Sequence, residues 1–382
     1  MTASEHLRIL GASARAAAFS ALRAGLRPCC IDLFADRDLQ NRCPVDRLIG
    51  RYPHSFLDHL DAAPPGPWMY TGGLENWPRL VRRLADRRIL WGNSAATLRR
   101  ARDPEYVTAL LQAAGMSVPM LRPSGERGEV SRRWLCKPCK GAGGGGIRFA
   151  DEETFEAPST YHQEYIEGRP CSLLYVGDGQ QPRLLGMTWQ FIGVPFLHAG
   201  PFRYCGSIGP VDPIIVRRPS LQALGDVLTR AGGLCGLFGV DGVLREEVFW
   251  PVEINPRYTA SVEVLEHASG AALLGWHSHV FTHRCLPSLP SPVLAWERTI
   301  GKAILFARDD LHFPADGPWM TELRSPRPVQ EMPAFADIPA AGDPIEKGKP
   351  ILTFFAAADS ASACEDTLRQ IAADLDRWLF ER

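Results

Sequence analysis

The chain opens on a run of apolar positions, Leu7-Arg8-Ile9-Leu10, followed by the small-residue turn Gly11-Ala12-Ser13-Ala14-Arg15 and an alanine-rich stretch from Ala16 to Ala24 that Gly25 ends. That pattern predicts a strand, a tight turn and a helix, and Cys29 to Phe34, closed by Asp36 and Asp38, predicts a second buried strand. Trp68-Met69-Tyr70 repeats it and runs into the glycine turn Thr71-Gly72-Gly73-Leu74-Glu75-Asn76. Buried strands alternating with helices predict an open α/β sheet, and ligands gather at the carboxyl edge of such sheets. Glu75 and Asn76 are therefore substrate-site candidates beside the plain reading of a turn.

A helix is predicted over Glu105 to Ala114, capped by Gly115, and a polar connection rich in glycine and proline over Pro119 to Arg133. From Trp134 to Glu253 the apolar runs are short and of antiparallel character, with turns at Gly177-Asp178-Gly179 and Glu246-Glu247. One helix interrupts them, Ser220 to Gly232, with Pro219 at its start. Another is predicted after Pro256, through Glu263 and His267 to about Ser278. The segment from Pro287 is first proline-rich, then strand-like at Ala303 to Ala307 and Pro350 to Ala356, and it ends in an amphipathic helix from Ala361 to Phe380.

At 382 residues the chain is long enough for two or three packed units, and 45% hydrophobic with 22% charged residues describes a globular protein. A formal net charge of −1 argues against a broad basic surface for nucleic acid or anionic lipid, leaving a small-molecule substrate as the expectation. Arg15 and Arg23 interrupt any signal-peptide reading of Leu7 to Leu26, and no run approaches the roughly 20 apolar residues of a membrane span. The ten cysteines are scattered rather than framed for disulfides, which points to reduced thiols in a cytoplasm.

The strongest local signal is Lys137-Pro138-Cys139-Lys140-Gly141-Ala142-Gly143-Gly144-Gly145-Gly146-Ile147-Arg148. Glycines at this density cost backbone entropy, and close approach of backbone N–H groups to phosphate is a reason to keep them. The lysine precedes the glycines, the reverse of a Walker loop, so the segment reads as a flap joining two strands, with a flexible linker as the alternative. Tyr161-His162-Gln163-Glu164-Tyr165-Ile166-Glu167-Gly168 suits a strand whose backbone could meet an adenine edge. Phe238 to Leu244 and Trp250 to Arg257 form a predicted hairpin in which Asp241, Glu253 and Asn255 can share a face. Two carboxylates and an amide oxygen are hard ligands suited to Mg²⁺ or Mn²⁺ completed by substrate phosphates.

Other constellations carry less. Cys136 and Cys139 have no second pair at metal-ligand spacing, and His277, His279, His283 and Cys285 read as ordinary residues at a helix end. Ser13 and Ala16 stand where a dinucleotide fingerprint wants glycine, and no Gly-x-Ser-x-Gly elbow occurs.

The order of these parts resembles the ATP-grasp superfamily, from the N-terminal sheet to about residue 285, with Glu253-Ile254-Asn255-Pro256-Arg257 the most specific piece. Within it the chain looks most like predicted ATP-dependent carboligases found beside tetrahydromethanopterin and methanofuran genes of one-carbon metabolism. The resemblance implies a multidomain α/β and α+β chain: a Rossmann-like pre-ATP-grasp domain over 1–97, an ATP-grasp domain over 98–286 and a small β-rich C-terminal domain over 287–382. The middle unit would comprise a flap lobe of about 120–168 and a metal-binding lobe of about 169–286. The tail from Ala341 to Pro350 is similar to the C-terminal part of biotin-carboxylase-like ligases.

The resemblance also implies roles. Lys137 would hold ATP phosphates under the loop of Gly141, Gly143, Gly144 and Gly145. Gln163 would face the adenine amino group, with backbone contacts from Glu164 and Ile166. Asp241, Glu253 and Asn255 would bind Mg²⁺. Departures are visible too: Pro170 stands where many relatives have an acid for the ribose, and Arg102-Asp103-Pro104 where many have Asp-Lys, so that Arg102 would substitute for the lysine. Gly239 stands where some amino-acid ligases have an arginine, which makes Arg257 the candidate for the developing oxyanion. The implied activity is carboxylate–amine ligation through an acyl phosphate, with a nucleotide-binding sensor or a small-molecule kinase as alternatives, and homodimers are frequent among relatives. His198, Arg203 and Tyr204, in the stretch His198 to Pro210, are candidates for a substrate loop or for a plain surface loop.

Overall fold

The computed structural model describes residues 5–60, 64–122, 132–150, 159–216, 218–288 and 294–381. Its N-terminal part comprises β1 (His6–Gly11), α1 (Arg15–Arg23), β2 (Arg27–Asp32), α2 (Arg37–Gln40), β3 (Val45–Arg47), α3 (Phe56–His59), β4 (Trp68–Tyr70), α4 (Pro78–Ala85), α5 (Ala95–Ala101) and α6 (Pro104–Ala113). The four strands form a parallel sheet in the order β3-β2-β1-β4. Leu7 and Ile9 pack with α1 on one face and Leu10 with Phe56 and Leu80 on the other, so β1 is apolar at successive positions because both of its faces are covered. β2 begins and ends two residues earlier than the sequence predicts. The Asp32 carboxylate accepts the N–H groups of Phe34 and Ala35 at 2.8 and 2.7 Å, turning the chain out of the sheet there.

A second, antiparallel sheet follows, made of β5 (Leu121–Arg122), β6 (Trp134–Pro138), β7 (Arg148–Phe149) and β8 (Thr160–Glu164) in the order β5-β8-β6-β7. The glycine segment connects β6 to β7, as a flap should. Most of the connection expected over Pro119 to Arg133 lies outside the described residues.

The third sheet has eight strands. β9 (Arg169–Asp178), β10 (Pro182–Ile192), β11 (Tyr204–Val211), α7 (Arg218–Arg230), β12 (Cys235–Arg245), β13 (Val248–Asn255), α8 (Ala260–Ser269) and α9 (Leu273–His283) precede residue 287. After it come β14 (Thr299–Phe306), β15 (Leu311–His312), α10 (Met320–Arg324), β16 (Phe335–Ala336), β17 (Pro344–Ile345), β18 (Pro350–Ala358) and α11 (Ala361–Phe380). The order is β13-β12-β9-β10-β11-β14-β18-β16, all neighbours antiparallel, so hydrogen bonding between β11 and β14 carries the sheet across residue 287. Among the described residues no helix is long and apolar enough to cross a membrane.

Alternation along these strands assigns the two faces. Leu173, Tyr175, Phe238 and Val240 pack on α7 and on Leu111 of α6. Leu174, Val176 and Leu237 point the other way, onto α1, α8 and α9, which docks the N-terminal helix against the central sheet. Farther along that second face the apolar positions give way to Ser172, Gln190 and Asp241, and the face becomes a cavity wall.

The single helix predicted from Pro256 to Ser278 is two. Gly270 ends α8 in the left-handed region at φ 70°, and the Leu273 N–H opening α9 donates to the Glu266 carboxylate at 2.7 Å. A carboxylate reaching across the break satisfies a donor that a continuous helix would have paired internally.

Candidate functional site

Between the flap sheet and the polar wall of the central sheet lies a cavity of about 500 Å³, within the range of small-molecule sites. Lys137, Gly143, Gly144 and Gln163 line its flap side, and Glu164 and Ile166 its hinge side. Asp241, Glu253, Asn255 and Arg257 line the opposite wall. A smaller hollow of about 60 Å³ adjoins it past Lys137 and Glu253, and Arg102, Gly141 and Gly145 line that one. The cleft thus collects the residues expected to meet nucleotide, metal or oxyanion.

The wall is built by strand register. Asp241 on β12 is the direct partner of Glu253 on β13, and Gly239 of Asn255, so both carboxylates rise from the same face. Gln190 Nε2 donates to Asp241 Oδ1 at 3.0 Å and Asn255 Nδ2 to Asp241 Oδ2 at 2.8 Å. Burial, with the Glu253 charge next in effect, pushes the Asp241 carboxyl up to about 6. Glu253 moves the other way: burial alone would raise it, but Arg102 and Lys137 hold it below the usual carboxylate range.

Arg102 ion-pairs with Glu253 through NH1, gives Nε to Asn76 Oδ1 at 3.1 Å and NH2 to the Gly141 carbonyl at 3.2 Å. Asn76 Nδ2 donates to the same carbonyl at 3.0 Å. On the other side of the loop the Gly143 carbonyl accepts the Tyr204 N–H at 3.2 Å, and a Cβ on Gly144 would fall 1.7 Å from the Phe202 carbonyl oxygen. The flap is therefore seated against the N-terminal part and the 202–204 segment together. Only glycine permits the second contact, since Gly144 also has φ +75°.

Several expected contacts are arranged differently. The Gln163 side chain, expected to face adenine, accepts from Lys137 Nζ at 3.0 Å, and that ammonium also reaches the Val252 carbonyl at 3.2 Å. Glu164, expected to meet the nucleotide by its backbone, gives its own N–H to the Met120 carbonyl at 2.8 Å and directs its carboxylate to Arg132 and to the Met120 N–H. Asn255, expected as a metal oxygen, turns Oδ1 to Arg257 NH2 at 3.1 Å. Of the three named substrate-loop candidates Tyr204 lines the cavity, together with Pro201, Phe202 and Ser207 of the same stretch, its hydroxyl 2.8 Å from Ser207 Oγ, while His198 lies 2.9 Å from Asp376 on α11 and Arg203 lies beside Gly145. His277 has both ring nitrogens on backbone partners, Leu237 N–H and Trp91 carbonyl, and burial pushes it down to about 4.

Gln190 was not legible as a site residue. The available signal is a polar side chain two positions from Thr188 in a strand whose inward positions are otherwise apolar or glycine.

Two half-buried carboxylates brought together across a strand pair fit a divalent cation, which relieves their mutual repulsion. Among the described residues no group of three or more His, Cys, Asp or Glu side chains is placed to hold a metal. The pair therefore suits Mg²⁺, which completes its shell with water and substrate phosphates, better than a metal needing a full protein cage.

No curated protein sequence matches the chain. Among solved structures it is similar to a biotin carboxylase from Campylobacter jejuni, with a TM-score of 0.70 at 15% identity over 96% of this chain and 90% of that one. It is also similar to an L-amino acid ligase from Bacillus licheniformis, with a TM-score of 0.69 at 15% identity over 98% of both chains. An N5-carboxyaminoimidazole ribonucleotide synthetase from Thermus thermophilus gives 0.67 at 16% identity, over 98% of this chain and 99% of that one. At such identities the likeness is one of fold. A family model described as the ATP-grasp domain matches residues 104–261, which run from α6 through the flap sheet and the β12–β13 hairpin to the start of α8. The chain thus carries an ATP-grasp domain and has the ATP-grasp fold.

Proposed function

We propose that this protein is an ATP-dependent ligase that joins a carboxylate to an amine through an acyl phosphate, releasing ADP and phosphate. The observation that carries the reading is the facing pair Asp241 and Glu253 on the wall of a cavity that Lys137 and Arg257 also line. Lys137 hydrogen-bonds to neutral oxygens and acts on Glu253 only through its charge, so its ammonium can also meet nucleotide phosphates. Asp241 and Glu253 would hold Mg²⁺, which supplies the charge neutralisation that phosphoryl transfer requires. The substrate carboxylate attacks the γ-phosphorus and ADP departs. The amine then attacks the acyl carbon, Arg257 donates to the oxygen that gains charge, the carbonyl re-forms as phosphate leaves, and the amine proton is released. The seated flap keeps water from the acyl phosphate.

The fold shared with the L-amino acid ligase from Bacillus licheniformis supports the amine half of the reaction. The resemblance to predicted carboligases supports a substrate among one-carbon cofactor precursors of methanopterin or methanofuran type, the frequency of dimers among relatives supports a homodimer, and the ten free cysteines support a cytoplasmic enzyme. The testing experiment is an ADP-release screen over amino acids, glutamyl compounds and pterin or furan precursors, each pair followed by product mass. A product weighing acid plus amine less water supports ligation. A stable phosphorylated acid without amide makes the protein a kinase, and ATP binding without ADP release under any pair makes it a sensor.

A further inference from the structure

Glu75 lies in the turn after β4, at the carboxyl edge of the N-terminal sheet, and is 1% exposed. Its Oε2 accepts the Gly73 N–H at 2.6 Å, which fixes the carboxylate to its own turn. Its Oε1 lies 2.9 Å from both Nε and NH2 of Arg257, on the segment that follows β13. The remaining Arg257 contacts run from NH1 to the Tyr258 carbonyl at 3.0 Å and from NH2 to Asn255 Oδ1 at 3.1 Å. A guanidinium has five N–H groups; hydrogen bonds engage Nε–H, one hydrogen on NH1 and one on NH2, NH2 also ion-pairs with Glu75, and the second NH1 hydrogen has no partner among the described residues. Gly72 backs the group closely, since a Cβ there would lie 3.4 Å from Cζ and NH2.

We propose that Glu75 is a positioning residue: by gripping the Nε and NH2 edge of Arg257 it fixes the plane of the guanidinium and leaves one NH1 hydrogen for the oxyanion in the cavity. The proposal rests on the reading of Arg257 as the oxyanion donor. It makes the N-terminal sheet a contributor to the site, because an arginine on β13's exit is aimed by a carboxylate from β4's exit. An arginine freed from that grip keeps its charge but loses its direction, and a donor aimed in advance is what lowers the barrier.

The test compares the full-length wild type with Glu75→Gln and Glu75→Asp. Amide formation is followed by kcat and by KM for ATP, and the Arg257 Nε–H by ¹⁵N NMR, assigned through its loss in Arg257→Lys. Glu75→Gln should lower kcat about 30-fold, toward the cost of losing an oxyanion donor, with KM for ATP within about threefold. The Arg257 Nε–H signal should shift or broaden, and Glu75→Asp should recover part of both losses. An unchanged kcat, a KM for ATP that rises in step with the fall in kcat, or an unmoved Nε–H signal overturns the proposal. If the wild type itself releases no ADP with any acid and amine, the ligase reading falls. The NMR comparison then decides the Glu75 grip by itself, a shifted signal supporting it and an unmoved one ending it.

Discussion

Arg102 places its guanidinium on the Glu253 carboxylate while the same group holds the Gly141 carbonyl of the flap at 3.2 Å. One side chain from the end of α5 thus touches both the β12–β13 hairpin and the glycine loop. Replacing it by methionine removes the pair and leaves Glu253 short of a cation. Arg102→Met should weaken binding of a fluorescent ATP analogue with Mg²⁺ about tenfold, a loss of about 1.4 kcal/mol. Arg102 is among the charges holding the Glu253 carboxyl low, so the acidic limb of binding should also move to higher pH. Binding titrations between pH 5 and 8 would detect either effect, and an unchanged affinity would show that the pair is ornamental.

Asp241 yields a prediction with opposite signs for activity and stability. Its folded carboxyl titrates at about 6, above the ordinary carboxylate value, so protons bind the folded state more readily than the unfolded one. Its charge therefore destabilises the nucleotide-free fold as pH rises from the unfolded value to about 6, by on the order of 2 to 3 kcal/mol, and fully above that. Asp241→Asn should raise Tm at pH 8 by a few degrees and abolish carboxylate-dependent ADP release. In the wild type, Mg²⁺-dependent nucleotide binding should fall as pH drops below about 6, because the metal competes with the proton. Calorimetric melting of both proteins at pH 8 checks the sign, and a lower Tm for the variant would refute it.

The flap offers a matched pair of glycines. Gly143 and Gly144 both have positive φ, but a Cβ at Gly143 meets nothing within 4 Å, whereas at Gly144 it would strike the Phe202 carbonyl at 1.7 Å. Gly143→Ala should therefore cost only the left-handed backbone penalty of about 1 kcal/mol. Gly144→Ala must also unseat the flap, and should lower kcat at least about tenfold more, with ADP release outrunning amide formation as the acyl phosphate meets water. Parallel assays of ADP and amide give the coupling ratio. Equal ratios in the two variants would mean that seating against Phe202 does not protect the intermediate.

Much of this site could be read along the chain because its parts are local. The glycine segment follows Lys137 directly, and Glu253 and Asn255 are two residues apart on one strand, so period and spacing alone gather them. Contacts between distant segments were not readable. Nothing near Gln163 in sequence announces that Lys137 will take its oxygen, and nothing near Glu75 announces Arg257, 182 residues away. The break at Gly270 was missed for a similar reason: an apolar run continues through it, and the αL turn is secured by Glu266 reaching forward. The join of β11 to β14 likewise depends on which edge a strand finds, and strand composition does not encode that.

Glu263 provides the counterpart to Asp241. It is fully buried on α8, where it accepts from Arg15 NH1, from Arg15 NH2 at 3.0 Å and from Lys302 Nζ at 2.7 Å. Arg15 continues to Asp337 at 3.0 Å, so α1, α8, β14 and the Asp337 segment meet on one network. Burial alone would raise the Glu263 carboxyl, but Arg15 and Lys302 hold it well below its ordinary value. A buried carboxylate that already carries its own cations has no need of a ligand, whereas at Asp241 burial and the neighbouring Glu253 charge outweigh the Ser172, Arg257 and Asn255 contributions, and a bound cation would relieve it. Glu263→Gln takes from Lys302 its ion-pair partner and from Arg15 one of its two carboxylates, and should cost about 3 to 5 kcal/mol, seen as a Tm lower by several degrees at pH 8. Because the folded value is depressed, that stabilisation is complete above the unfolded value and disappears only as pH falls through the folded one. The Tm gap between wild type and variant should thus persist at pH 5 and close only well below pH 4.5. A gap already closed at pH 5 would mean that Glu263 is not the charge on which the network depends.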